Sequence, residues 1–388
     1  MKKLILIVTL FGLILPFAIQ AQDQADAIPD QVINVAEDEL FQAKVIQILD
    51  AREVDSPDGE TYQQQNLLLE GTKGEWKGKQ VTIEGISDIQ IVNSLIFKKG
   101  DQVIVAASPS PDGEVRYYLV DAVRSPSLTW LTILFVIIVL IIGKWKGLRA
   151  LIVLGLSAAV ILWYIVPQIL KGADPLVISV VGGAVIMALA IFFTEGYNRH
   201  ARLAYFSILI LLAILLLLSK FFTLAAHLTG LASEEAIFIS ALQGGINVEG
   251  LLLAGMIIGT LGALDDVILN QIAVVDELRE SNPELSTKEL HKKAMRVGTT
   301  HISSIVNTLF LAYAGASLPL LVLFSVHEAP FLSFSDVINS EVIATEIVRT
   351  LVGSIVLVLA VPLATFLAVR FYDKTHPTHG QEANAEAR

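Results

Sequence analysis

The chain has 388 residues, 54% of them hydrophobic and only 17% charged, with a mean hydropathy of +0.65. A soluble protein of this length carries more charge and fewer unbroken apolar runs, so the composition points to a membrane protein. The lack of cysteine excludes disulfides, thiolate metal sites and cysteine nucleophiles. The formal charge is −11, and residues 22–125 hold most of it with 19 acidic against 9 basic side chains, which argues against the basic face that nucleic-acid binding requires.

The opening MKKLILIVTLFGLILPFAIQAQ has two lysines, an apolar core and a Pro-then-small tail. This is the layout of a secretory signal peptide over 1–21, cleaved near Ala21, with an uncleaved anchor helix as the alternative. Next comes a hydrophilic segment, 22–125, with five runs rich in β-branched or aromatic residues: FQAKVIQIL, QNLLLEG, KQVTIEGI, DQVIVAAS and VRYYLVDAV. Asp58-Gly59, Gly74, Lys99-Gly100 and Asp112-Gly113 separate them as turn signals. The spacing predicts a small sandwich or barrel, resembling an OB-type barrel. The acidic tips DSPDGE and SPDGE read as hairpin turns rather than calcium loops, since the calcium-loop spacing is missing.

From Leu128 the chain changes character. Uncharged segments lie between Arg124 and Lys144, Arg149 and Lys171, Asp174 and Glu195, and Arg202 and Lys220. Each is about long enough to cross roughly 30 Å of hydrocarbon at 1.5 Å per residue. Further apolar segments run from about Leu251 to Val275, His301 to Val326 and Thr350 to Val369, giving seven spans after the signal. Lysines and arginines concentrate in 144–149, 195–202, 276–299 and the tail from Arg370, while Lys171, Lys220 and Arg349 mark the other side. The positive-inside rule then places the β-rich segment outside and the C-terminus in the cytoplasm. The expected organisation is a signal peptide (1–21), an extracytoplasmic β-rich domain (22–125), a polytopic helical membrane domain (126–372) and a cytoplasmic tail (373–388).

Two connections carry structure of their own. Residues 220–249 are long and partly apolar, as an interfacial or re-entrant helix or a packed lid would be. Residues 276–299 continue the preceding span, break at Asn282-Pro283, and restart with Ser286 and Glu289 as the capping box of a short amphipathic helix.

The chemistry centres on GALDDVILNQ, residues 262–271. At helical spacing, Gly255, Gly259, Gly262, Asp266 and Asn270 form one stripe, small on one half and polar on the other. Asp265 is turned from Asp266 by about 100°, so one carboxylate can face a partner helix while the other reaches water or a backbone cap. The next span is the most polar one, with Thr300, His301, Ser304, Asn307 and Thr308 on overlapping faces. It runs antiparallel to the aspartate span, which suggests Asp265 and Asp266 opposite His301, Ser304, Asn307 and Thr308. Glu346 and Arg349, at i and i+3, are placed to pair at the interface or reach inward. A carboxylate in low dielectric tends to its protonated form, and an adjacent one reinforces this, which suits a proton relay. The competing reading is hydrogen-bonded or ion-paired glue near the membrane boundary. His301 reads as a hydrogen-bonding partner rather than a metal ligand, as no second histidine has ligand spacing.

GALDDVILNQIAVVDEL, GTTHISSIVNTLFLAYAGASLPLLVLF and EIVRTLVGSIVLVLAVPLATF closely resemble the YibE/F family of bacterial membrane proteins, over about residues 125–370. The resemblance implies a multi-pass protein of the bacterial cytoplasmic membrane and brings no established catalytic residues. A weaker likeness, of layout alone, links LDDVILNQIAVVDELRE to the aspartate helix of resistance–nodulation–division transporters and SecD/SecF-type export factors. Seven spans and a small N-terminal outer domain depart from that pattern.

The leading expectation is a transporter or permease-like protein, proton-coupled through Asp265 and Asp266. The alternative is a non-transporting assembly factor, sensor or scaffold whose acidic outer domain binds a partner. An intramembrane aspartyl hydrolase would need aspartates on two facing helices, and nucleotide-binding loops, nucleophile elbows and metal motifs are all missing. No enzymatic activity, cofactor or metal is therefore expected. The expected partners are the lipid bilayer and either a small solute or an envelope protein, with no nucleic acid; a homo-oligomer is compatible.

Overall fold

The computed structural model describes residues 39–55, 61–84, 96–109, 115–242, 245–325 and 332–375. The expected leader, the Asp58-Gly59 and Asp112-Gly113 tips and the tail beyond Thr375 lie outside them. Contacts divide the chain into two units, the first ending at Ile138 and the second beginning at Val139.

The first unit is a five-stranded antiparallel sheet: β1 (Glu39–Asp55), β2 (Thr61–Gly71), β3 (Gln80–Glu84), β4 (Gln102–Pro109) and β5 (Val115–Ala122). All five expected strands are present, in the order β3-β2-β1-β4-β5. The long β1 serves both halves, pairing with β2 and, through Glu39–Lys44, with β4. Two irregularities in its register with β2, at Val45/Gln47 and Ile48/Asp50, let it bend. The edge strands β3 and β5 approach each other, so the sheet curls into a half-barrel. Alternate residues point inward: Ala43 and Val45, Leu67 and Leu69, Val81 and Ile83, Val103 and Val105 form its core. Trp76 stacks on Phe41 with ring centroids 4.2 Å apart and donates from its indole nitrogen to Glu39 at 2.9 Å. Gly74 and Gly100 take the positive φ values, +61° and +105°, that their turns require. Beyond β5, the Arg124 guanidinium bonds Asp121 and holds that exposed carboxyl below its ordinary range.

The remaining elements are helical: α1 (Ser125–Val160), a π-turn at Ile161–Ile165, α2 (Val166–Leu170), α3 (Pro175–Thr194), α4 (Arg199–Ala225), α5 (Glu234–Leu242), α6 (Val248–Ser281), α7 (Thr287–Ala316), α8 (Leu318–Ser325), α9 (Phe334–Asn339) and α10 (Glu341–Thr375). Among the described residues, five stretches are long and apolar enough to cross a membrane: Ser125–Leu170, α3, α4, α6 and Glu341–Tyr372. The pair α7 and α8, bent by 66°, makes a sixth if counted as one. By length and composition alone the count is five or six beside the seven expected, because Ser125–Leu170 runs across the anticipated 144–149 loop and counts once, and α7 with α8 counts only as a bent pair. That loop is compressed into one residue, Lys144, whose φ of 47° and ψ of −123° interrupt the helix. Gly147 permits the sharp bend, since a Cβ there would lie 2.3 Å from the Val139 carbonyl oxygen. The π-turn precedes Pro167, which has no amide hydrogen for the ladder.

Several helix starts are written locally. The Asp174 carboxylate accepts from Leu176 and Val177 ahead of Pro175, Asn198 caps α4 and Asn247 caps α6. The Ser286–Glu289 capping box forms as expected. The helix it starts is long rather than short: α7 runs unbroken from Thr287 to Ala316 because Gly298 packs against α6 and α10 instead of ending the helix. In the 220–249 connection, α5 is a nine-residue helix.

α6 is the central element of the second unit, packing against α3, α4, α7 and α10. Its Ile257, Leu264, Ile268 and Ile272 are essentially fully buried, joined in the core by Leu211 and Leu215 of α4 and by Val356 and Leu357 of α10.

Candidate functional site

Asp265 and Asp266 stand at the midpoint of the 34-residue α6, about 26 Å from either end at 1.5 Å per residue. Core packing decides which way each points. Leu261, Leu264, Ile268 and Ile272 turn to the neighbouring helices, leaving the opposite side open. Gly255, Gly259, Gly262, Asp266 and Asn270 all lie on that open side. The stripe, small on one half and polar on the other, is thus uncovered within the chain. Its neighbours pack on the sides of α6 that carry large apolar side chains, where burial is worth about 25 cal/mol per Å², and a row of glycines offers little such area. Asp266 accepts a hydrogen bond from Asn270 at 2.9 Å. Asp265 is half-buried, on the flank of α6 that continues from Leu261, which packs where Gly183 of α3 leaves room.

The polar residues of α7 share the depth of the aspartates. Gln271 of α6 donates to the Ala294 carbonyl and touches Gly298. One helical turn back along α6 and one turn forward along the antiparallel α7 bring Val267 level with Ile302. Asp266 is therefore level with Ser303 and Ser304, and His301 and Asn307 lie within about one turn. α7 rests on the bundle through Ile302, Ile305 and Leu309, which leaves His301, Ser304, Asn307 and Thr308 exposed. No hydrogen bond joins these four side chains to the aspartates among the described residues; Thr308 bonds the Ser304 carbonyl of its own helix at 2.9 Å. The two polar groups share a depth without bonding to each other.

The bundle beneath this face is pinned by Gln271, which the helical pattern of the sequence does not single out. It is 3% exposed, and its amide donates to Ala294 of α7 at 3.1 Å and to the Thr365 hydroxyl of α10 at 2.7 Å. Thr365 in turn donates to the Val361 carbonyl. One side chain thus ties three helices. Gln271→Leu removes both bonds at nearly constant volume and is expected to cost about 1–2 kcal/mol, read as a lower melting temperature of the purified protein. An unchanged melting temperature would mean that the node carries no net stability.

Glu346 and Arg349 pair at 3.4 Å near the Glu341 end of α10, as their spacing allowed, and Tyr313 of α7 lies within electrostatic reach of both. At the same end, Glu341 accepts from the backbone nitrogens of Thr229 and Gly230 at 2.6 and 3.0 Å and from the Thr229 hydroxyl. Glu341→Ala leaves two backbone donors without this acceptor and should cost about 1–2 kcal/mol locally. Limited proteolysis around residues 226–232 should accelerate; equal cleavage rates would show the strap to be unimportant. At the other end, His200 of α4 lies 3.3 Å from Asp276 of α6, and the Tyr372 ring of α10 lies 5.7 Å from the His200 ring. Gln271, Glu341 and this His200–Asp276 contact have only a weak sequence signal, namely a polar residue in or beside an apolar run. Among the described residues, no group of three histidine or acidic side chains is placed to hold a metal ion.

The family described as YibE/F-like protein matches residues 131–374, which include every helix of this site. No curated protein and no solved structure matches the chain.

Proposed function

Since the chain belongs to the YibE/F-like family and carries, among the described residues, five or six stretches long and apolar enough to cross a membrane, it is a multi-pass membrane protein, and we propose that it is a transporter or permease-like protein coupled to protons through Asp266 and Asp265. The observation that carries this reading is an open carboxylate at the midpoint of the central helix. A charge at that depth is costly and is kept where it moves protons or ions. A carboxylate that binds and releases a proton also changes the charge of the face it occupies, which gives the bundle two states for a solute to exploit.

Seven crossings fit this reading. The Ser125–Leu170 stretch of 46 residues would measure about 69 Å as a single helix, over twice the hydrocarbon thickness of about 30 Å. The break at Lys144 divides it into two spans, with Lys146 and Arg149 beside the break. Taking α7 and α8 as one bent span completes the count. The positive-inside rule then puts the sheet domain outside the bacterial cytoplasmic membrane and the end of α10 inside.

The test is reconstitution into proteoliposomes under an imposed pH gradient, followed with an entrapped pH-sensitive dye. Dissipation faster than in protein-free vesicles supports the reading, whereas identical rates across a panel of candidate solutes count against it. The second reading, an envelope scaffold, is favoured by the sheet domain's own hydrophobic core and the acidic composition of residues 22–125. It predicts no proton movement and a partner captured by the outer domain.

A further inference from the structure

A groove runs between α3 and α4, and we infer that it binds one anionic phospholipid, with an acyl chain along the groove and the phosphate held by Arg149 and Arg202 at its mouth. The groove is a cavity of about 740 Å³, lined by α3 from Val180 to Phe193 and by α4 from Tyr205 to Leu216. Its wall is apolar. The one side-chain hydroxyl in it, on Tyr205, donates to the Ala184 carbonyl at 3.3 Å, so the wall offers a ligand hydrocarbon contact alone. Val181, Val185 and Leu209 are exposed along it, and both helices are long and apolar enough to cross a membrane.

The length of the groove fits a single chain of one leaflet. At 1.5 Å per residue its lining measures about 16–20 Å, close to the depth of one leaflet, about 15 Å of a hydrocarbon core of roughly 30 Å. The lining ends at Phe193, one residue before α3 stops at Thr194. The mouth therefore opens where the chain leaves the apolar helix for the 195–198 turn, at headgroup level.

That mouth is cationic, and its cations are held in place. The Phe192 ring lies 5.4 Å from Tyr205 and 5.4 Å from Tyr197, and the Arg202 guanidinium stands over Tyr197 at 5.6 Å. Arg202 shares the groove face of α4 with Tyr205 and Leu209, which follow it at i+3 and i+7. From α1, Arg149 donates one bond to the Thr194 carbonyl at 3.2 Å, with the rest of its fork left to an anion. Arg199 adds a third positive charge. Glu195 is the one acid between Thr194 and Tyr205, and His200 turns away to Asp276 at 3.3 Å. A phosphate diester carries the complementary charge, and its paired oxygens match a guanidinium fork. Basic sites between membrane helices recognise anionic headgroups in this way, and in the proposed topology this end faces the anionic cytoplasmic leaflet.

In the test, full-length protein is delipidated in detergent and titrated with phosphatidylglycerol or phosphatidylcholine of the same chains, and bound lipid is counted by native mass spectrometry. The expected result is one phosphatidylglycerol retained at several-fold higher occupancy than phosphatidylcholine at equal concentration. Arg202→Gln, alone and then with Arg149→Gln, should lower phosphatidylglycerol stepwise to the phosphatidylcholine level. Ala213→Trp, which sets an indole in the groove from an exposed position, should lower both lipids. Arg370→Gln removes an exposed cation of α10, outside the groove, and should change neither. If Ala213→Trp does not elute as a single species, Leu209→Trp replaces it. Equal occupancy by the two lipids, a preference that survives the arginine substitutions, an equal loss in Arg370→Gln or undiminished binding to the filled groove would each overturn the inference. Full competition by inorganic phosphate would do so too, as the mark of an anion site without a chain. None of these readouts depends on proton movement, so the lipid site and the transport reading fail separately.

Discussion

Asp266→Asn is expected to slow dissipation of an imposed pH gradient by about tenfold or more in proteoliposomes, with little change in folding. The amide keeps the shape of the carboxylate and its place beside Asn270, which lies 2.9 Å away, but it cannot take up or release the proton. Asp266 is exposed and Asn270 is the side chain bonded to it, so the substitution deletes no core contact. Changes of this kind usually fall within about 0.5 kcal/mol. Asp265→Asn should also impair proton movement. It should cost no more stability than Asp266→Asn, because an amide in place of the half-buried Asp265 carboxylate removes a charge that burial disfavours. Retention of full proton movement by both variants would remove the aspartates from the mechanism. Equal losses of proton movement and of melting temperature would assign them to structure instead.

Gly298→Val is expected to be the most damaging single substitution for the bundle. A Cβ at this position would lie 2.4 Å from Cγ1 of Val361 and 2.8 Å from Oε1 of Gln271. Neither neighbour has room to retreat, with Val361 at 1% and Gln271 at 3% exposure. Overpacking of this type costs about 1–3 kcal/mol, and loss of the Gln271 bonds to Ala294 and Thr365 adds to it. The readout is a melting temperature lowered by several degrees, with Gly298→Ala showing a smaller fall. Because the nearest obstruction is one methyl group, Gly298→Ala combined with Val361→Ala should recover part of the loss, as contacting residues couple. If Gly298→Ala were as stable as the parent, α7 would not sit against α10 at this level.

Much of the local structure is determined by the sequence alone. The five strands were legible from runs of alternating apolar residues between turn signals, and the start of α7 from Ser286 and Glu289, because these signals act within a few residues. Composition was enough to mark the apolar helices and to single out Asp265 and Asp266 as costly residues. Helical period was enough to group Gly255, Gly259, Gly262, Asp266 and Asn270 on one face. Which face the fold would cover was not legible, since α6 carries large apolar residues on its other sides and its pattern does not rank them. That choice came from packing: α3, α4 and α10 took the sides where the most apolar area is buried, and the glycine row was left open. The partners of Gln271 lie 23 and 94 residues away, and those of Glu341 more than 110. Separations of that size are bridged only when whole helices settle against one another, so these bonds, and the unbroken run of α7 past Gly298, belong to the tertiary structure and not to any stretch of sequence.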